Sequence, residues 1–196
     1  MIRISWMLVS YLAAAIVILA GPDQPEQAID TERSFLTVHV GKAGLLSAAA
    51  HEHWVNAPFA GGTIDADGAW PAVSFTVDAR RLSVRPEKGV TDRDRAEVQS
   101  NMQSKVLESN MYPDIVSRST EVRQTGALVW GVSGDLTLHG FTKPVSVDVI
   151  RQNEAYIGTI PIKQTEFGIQ PIEIGVGAVR VKDELEISFR VYAASR

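Results

Sequence analysis

The chain of 196 residues contains no cysteine, which removes disulfides, thiolate metal sites, a thiol nucleophile and a lipidated N-terminal cysteine together. A domain without disulfides must hold itself together by its core. Positive charge is also short: 19 Lys+Arg against 23 Asp+Glu leave a formal charge of -4, so no basic surface is set aside for phosphate backbones and nucleic acid is not an expected partner. Several motifs are missing as well. There is no G-x-S-x-G elbow, no H-E-x-x-H zinc helix and no nucleotide-binding glycine fingerprint. Ser133, Asp135 and His139 have the residue types of a serine hydrolase without its spacing. Asp92, Asp94, Glu97 and Glu108 alternate with Arg93, Arg95 and Lys105, the pattern of a solvated charged face. No enzyme and no cofactor are expected from these residues.

Long apolar runs are confined to the N-terminus. Trp6 to Ala20 follows Arg3 directly and stops at Gly21-Pro22-Asp23. That run is shorter than the ~20 residues of a bilayer span and suits a signal peptide over residues 1–20, with an uncleaved anchor as the alternative. The polar, proline-bearing stretch that follows makes residues 21–33 a linker. Residues 34–196 are then one exported domain, long enough for a sizeable core.

What the chain has in quantity is period-2 alternation. In Val73-Ser74-Phe75-Thr76-Val77-Asp78 the apolar side chains fall on one face and the polar ones on the other, and Val145–Val149 and Leu185–Val191 repeat the pattern. Less regular strands are expected at Phe35–Val40, His51–Ala57, Thr63–Asp65, Ile115–Arg123, Ala127–Leu138 and Ala155–Ile162. Gly61-Gly62, Asp67-Gly68, Gly126 and Lys182-Asp183 supply turn signals between them. Eight or nine such strands must hide their edges, and a barrel is favoured over a sandwich. One segment breaks the rhythm. Residues 91–107 lack proline and glycine, place Val98, Met102 and Val106 at i, i+4, i+8, and open with Thr91 three residues before Asp94, so an amphipathic helix lying across the sheet or a barrel mouth is expected. Gln164–Gly177 is apolar and glycine-rich without alternation, as in a long irregular loop.

Two histidines of the four in the chain stand together in Ala50-His51-Glu52-His53. On a regular strand they share one face, a workable spacing for two metal ligands, with His39, His139, Asp65 or Glu52 as the available third. The alternatives are a polar patch on an apolar wall, or histidines that serve only the fold. Phe75, Val77, Trp130, Val147, Ile187, Phe189 and Val191 on the strands, with Met102 on the helix, are the side chains that would line either a packed core or a ligand tunnel.

A longer pattern bears on that choice. Gly134-Asp135-Leu136-Thr137-Leu138-His139-Gly140-Phe141-Thr142-Lys143-Pro144-Val145 resembles the signature of the YceI-like family. Leu107-Glu108-Ser109-Asn110-Met111-Tyr112-Pro113-Asp114-Ile115 is similar to that family's helix exit and following strand, and the likeness extends over most of Ser34 to Ala194. Two departures mark a divergent member: Arg93-Asp94-Arg95 lacks the histidine that commonly follows, and the His51/His53 pair is its own. The resemblance implies an all-β fold, a single antiparallel lipocalin-like barrel, in the periplasm or held at the inner membrane if the leader is retained. It further implies that the barrel holds an amphiphilic isoprenoid-like lipid (a polyprenyl, quinone or fatty-acid chain) without catalysis. Phe75, Val77, Met102, Trp130, Val147, Ile187 and Phe189 would then line the tunnel, and His51, His53, Arg93 and Asp94 would form a polar mouth. Two rivals stand beside it: a metal-dependent hydrolytic or sequestering site on His51 and His53, and a partner-binding module of an envelope stress or redox system. Transient contact with a membrane or an envelope protein fits the carrier role; the oligomeric state is open. In the signature itself, Gly140-Phe141-Thr142 is expected to be a hairpin turn, with Lys143 and Pro144 starting the return strand.

Overall fold

A computed structural model describes residues 26–44, 51–66, 71–174 and 179–195. The leader assigned to residues 1–20 and the Asp67-Gly68 turn lie outside the described residues. Among the described residues twelve strands form one curled antiparallel sheet: β1 (Gln27–Ala28), β2 (Phe35–Ala43), β3 (His53–Ala57), β4 (Phe59–Asp65), β5 (Ala72–Asp78), β6 (Ser83–Val84), β7 (Asp114–Gly126), β8 (Val129–Leu138), β9 (Phe141–Gln152), β10 (Ala155–Lys163), β11 (Glu173–Ile174) and β12 (Val179–Tyr192). Their spatial order is β1-β4-β5-β7-β8-β9-β10-β12-β2-β3-β6, with β11 paired to β12. Eight of them have seven residues or more (β2, β4, β5, β7 to β10 and β12), and the short β1, β3, β6 and β11 raise the count above the expected eight or nine.

The barrel begins earlier than the sequence suggested. β1 falls in the stretch read as linker, and Ile29 beyond it is buried and bridges Ala193. Asp30 N–H donates to the Tyr192 carbonyl at 2.9 Å and Ala194 N–H to Ala28 at 2.8 Å, so this segment straps the β4 edge of the sheet to the end of β12. Two turn signals are likewise inside strands. Gly62 sits in β4, where a side chain would collide with the Ser74 carbonyl and the Ile29 side chain, so glycine lets β5 and the strap close in. Lys182-Asp183 lies where β12 shifts register between Val181 and Leu185. Bulges also explain why alternation falters on two strands. β7 turns Ile115, Ser117 and Ser119 inward and, after the shift at Ser119/Glu121, Val122; β4 changes from Phe59 to Ile64 the same way.

The β8–β9 turn is His139-Gly140, one residue ahead of the expected position, with φ of 52° and 78°. Two left-handed residues in a two-residue loop make the tight turn whose twist suits a hairpin. Pro144 is consequently the fourth residue of β9 rather than near its start, and the register explains why a mid-strand proline is tolerated. Counting from the turn, Pro144 and Asp135 form a non-hydrogen-bonded pair, so the missing N–H faces away from β8. On that far side β9 pairs with β10 only from Val149/Gly158 to Gln152/Ala155. Carried further, the same register would require donors from the backbone nitrogens of Pro144 and Pro161, and neither has one. The two prolines hold β9 and β10 apart, leaving a seam down one side of the barrel. The turn Gln164–Phe167 packs against both strands beside this seam, with Phe167 buried to 1% exposure.

Helix α1 (Asp92–Asn101) is capped as expected: Thr91 Oγ1 accepts from Asp94 N–H at 3.1 Å and donates to Asp94 Oδ2 at 2.8 Å. It ends sooner than expected, passing into a π-helical turn over Met102–Val106. Val98, Met102 and Val106 all pack on the core, whereas the remainder of α1 is largely charged and exposed. Two glutamines fasten it. Gln99 accepts from Val84 N–H (2.8 Å) and donates to the Leu82 carbonyl (2.9 Å), while Gln103 Nε2 donates to the carbonyls of Ala79 and Leu82, both at 3.1 Å. The helix is thereby a lid tied to the β5–β6 connection at one end of the barrel.

Candidate functional site

Inside the curl lies a cavity of about 370 Å³, within the ~300–1,000 Å³ of small-molecule sites. Its wall is built by the inward positions of the strands: Leu36, Val38 and Val40 of β2, Val73, Phe75 and Val77 of β5, Trp130, Val132, Leu136 and Leu138 of β8, Val145, Val147 and Val149 of β9, and Leu185, Ile187, Phe189 and Val191 of β12. Met102, Val98 and Val106 close the lid end. Phe75, Val77, Met102, Trp130, Val147, Ile187 and Phe189 are therefore brought together on one surface.

The wall has internal order of its own. Phe59 and Phe75 meet edge to face at 5.3 Å between ring centroids, and Trp130 and Tyr156 at 5.7 Å. Phe189 stands opposite Gly158 in the β10–β12 ladder, and its ring occupies the space a Gly158 side chain would need.

The four polar-mouth residues separate. His53 lines the cavity, following Val55 and Ala57 on the inward face of β3. His51 precedes the strand, is exposed, and lies near Gly89, so the pair does not share a face: alternation holds only inside a strand, and β3 starts at His53. Arg93 and Asp94 are exposed on α1, and Asp94 is occupied in the cap. These three do not line the cavity. For the metal alternative, no group of three His, Asp or Glu side chains converges among the described residues.

His53 Nδ1 is buried without a hydrogen bond, 3.7 Å from Glu87 Oε2, a separation beyond hydrogen-bond range. Glu87 is itself held, its Oε1 accepting from Trp54 N–H at 2.8 Å. Burial pushes the His53 imidazole below its usual pKa; the nearby His51 acts in the same direction and Glu87 opposes them. On the outer face of the same strands His39 stacks on Trp54 with centroids 4.4 Å apart, and its Nε2 lies 3.0 Å from Glu52 Oε2. That bond holds the Glu52 carboxyl below its ordinary value. Trp54 thus faces away from the cavity, as strand parity requires, and Glu52 just ahead of the strand lies outside it too.

His139, considered above as a serine-hydrolase or metal residue, has a structural post. Its Nδ1 donates to the Phe167 carbonyl at 3.2 Å, its Nε2 meets Glu108 Oε2 at 2.9 Å, and the Tyr112 ring lies 4.4 Å from its own. The residues that the sequence did not single out are Glu87, Gln99, Gln103 and Pro161. For the glutamines a signal existed, since a spacing of four puts both amides on one helix face; Glu87 had none.

A curled antiparallel sheet around an apolar cavity, with a helix across one end, is a barrel with room for an apolar guest. The YceI-like domain model matches residues 28–193, and the chain belongs to that family. A UPF0312 protein of Pseudomonas savastanoi pv. phaseolicola is 30% identical over 136 residues, spanning 64% of this chain and 69% of that protein. One from Vibrio cholerae serotype O1 is 28% identical over 115 residues, 53% and 61% of the two chains. Two solved structures have a similar fold. Burkholderia cenocepacia BcnA superposes with a TM-score of 0.58 at 19% identity, covering 85% of this chain and 99% of its own. A polyisoprenoid binding domain from Saccharophagus degradans, implicated in plant cell wall breakdown, gives 0.57 at 15% identity, with 86% and 98% covered.

Proposed function

We propose that this protein is an exported, non-enzymatic carrier or store for an amphiphilic isoprenoid-like lipid, held by its chain in the barrel. The observation that carries this reading is the cavity: about 370 Å³ of space walled almost entirely by aliphatic and aromatic side chains. Such a space left empty forfeits packing, whereas filling it with an alkyl or prenyl chain recovers about 25 cal/mol for each Å² of apolar surface taken from water. The Saccharophagus degradans domain of the same fold, described as polyisoprenoid binding, supports the choice of chain. The apolar segment Trp6 to Ala20 behind Arg3 supports export to the periplasm. Transient contact with a membrane or an envelope protein would load and unload the barrel.

Titration of the lipid-stripped protein with a C20 prenyl chain tests this. Saturable binding at one chain per barrel, abolished by Val132→Trp and Val147→Trp within the wall, is expected. Binding that survives both substitutions contradicts it.

A further inference from the structure

We propose that the outer face of the barrel, at the end opposite the lid, carries a patch formed by Phe35, Leu128, Val129, Ile150 and Ile157 that rests on the surface of a lipid bilayer. The proposal stands apart from what the barrel holds, so it and the carrier reading fail separately.

Strand register puts these side chains in one row. Val129 of β8 stands opposite Ile150 of β9, Ile150 opposite Ile157 of β10, Ile157 opposite Arg190 of β12, and Arg190 opposite Phe35 of β2. Each alternates with a neighbour that lines the cavity (Trp130, Val149, Tyr156, Phe189 and Leu36 in turn), so the row itself faces outward. Leu128 extends it from the turn before β8, its carbonyl accepting from Arg151 N–H at 2.9 Å. Ile150 is 54% exposed, Leu128 52% and Phe35 51%, which keeps large apolar side chains together in water. One step toward the lid the same outer face turns polar: Asp148 stands opposite Gly131, and Thr159 and Thr37 flank Ser188. The apolar row therefore has an edge.

Two observations choose a bilayer as its partner. The first is charge. Arg190 lies in the row and Arg151 beside it, with its guanidinium 5.7 Å from the Tyr156 ring centroid, and neither pairs with a carboxylate among the described residues. Tyr192, the next outward position of β12, carries Arg33 over its ring at 4.3 Å. Aliphatic side chains bordered by arginine and tyrosine match the boundary between lipid tails and phosphate heads.

The second is the way the chain arrives. The apolar run Trp6 to Ala20 is separated from β1 at Gln27 only by residues 21–26, a reach of about 25 Å at most. β1 leads into the strap that ends beside this row: Asp30 N–H donates to the Tyr192 carbonyl and Tyr192 N–H to Ser34 Oγ, both at 2.9 Å. While the apolar run occupies a bilayer, as a leader in transit or as a retained anchor, it holds the barrel by this end. The row then meets the lipid and α1 points away from it.

The chain has no cysteine, so a single introduced cysteine carries an environment-sensitive fluorophore to one place. Three sites are compared in the full chain: Leu128→Cys on the row, Met111→Cys at the lid end, where the side chain is apolar and 68% exposed, and Asp135→Cys on the polar outer face. Vesicles of phosphatidylethanolamine and phosphatidylglycerol should shift the label at 128 to the blue and open it to a quencher carried on the lipid tails. Labels at 111 and 135 should not respond. Adding Phe35→Ser and Ile150→Ser to Leu128→Cys should cut the response about fivefold or more, with far-UV circular dichroism showing the barrel intact. Should that variant not fold, Arg190→Gln decides, and it should about halve the response. A silent label at 128, an equal or larger response at 111, or a response undiminished by the substitutions overturns the proposal. So does a blue shift at 128 that grows with protein concentration without vesicles, which would assign the row to a second copy of the chain.

Discussion

Glu108 and His139, 31 positions apart in sequence, meet at 2.9 Å between Oε2 and Nε2. Both residues have positive φ, 43° and 52°, so the contact fixes two uncommon backbone turns at once: the exit from the lid and the β8–β9 hairpin. The bond to the Phe167 carbonyl extends the tie to the turn beside the seam.

His139→Ala should therefore destabilise the fold by about 2–4 kcal/mol, because it removes two hydrogen bonds and a ring contact from a buried position and leaves acceptors unpaired. Urea unfolding monitored by far-UV circular dichroism checks it. A loss below about 0.5 kcal/mol would mean the contact is incidental.

The lid is held by amides rather than by a wide apolar face. Gln99→Ala deletes the bonds to Val84 N–H and the Leu82 carbonyl, and should cost about 1–3 kcal/mol while speeding both entry and release of a bound chain. Stopped-flow exchange of a fluorescent fatty-acid probe reads the rates. Unchanged rates would show that ligand passes elsewhere, for which the β9–β10 seam is the available route.

His53 predicts a direction with pH. Its folded pKa lies below the unfolded value near 6.5, so between the two the unfolded chain holds a proton that the native state lacks, and stability falls as pH drops through that window. On going from about pH 7.5 to about pH 5.5, wild type should lose more of its urea midpoint than His53→Gln does. Parallel loss in both proteins would contradict the burial of this ring.

The seam predicts an exchange pattern. In β9 the N–H groups of Val145 and Val147 face β8, whereas that of Ser146 faces the unpaired side. Amide hydrogen exchange followed by NMR should find Ser146 exchanging much faster than its two neighbours. Equal protection at all three would mean the strands are zipped in solution.

Much of the wall was legible in the sequence because alternation needs only local information. Phe75, Val77, Trp130, Val147, Ile187 and Phe189 face inward by the same parity that made their strands recognisable. Parity failed where a strand ends or slips: at His51, two residues before β3, and at the bulges of β4 and β7. The seam was hidden for another reason. Pro144 and Pro161 look like ordinary strand prolines until the hairpin register shows which way each missing N–H points. Glu87 was invisible because its role depends on the β3–β6 pairing, which brings the segment after β6 back beside Trp54 and His53. Ile29 was missed because a polar neighbourhood concealed a single buried side chain.

The account stands or falls on whether the barrel is filled. Native mass spectrometry of the protein purified gently from an envelope-bearing bacterial host measures this directly. The account predicts one bound species per chain, released on denaturation and extracting into organic solvent as a long-chain lipid, and absent from Val132→Trp. A wild-type mass equal to that of the bare polypeptide, with no lipid in the extract, would contradict it.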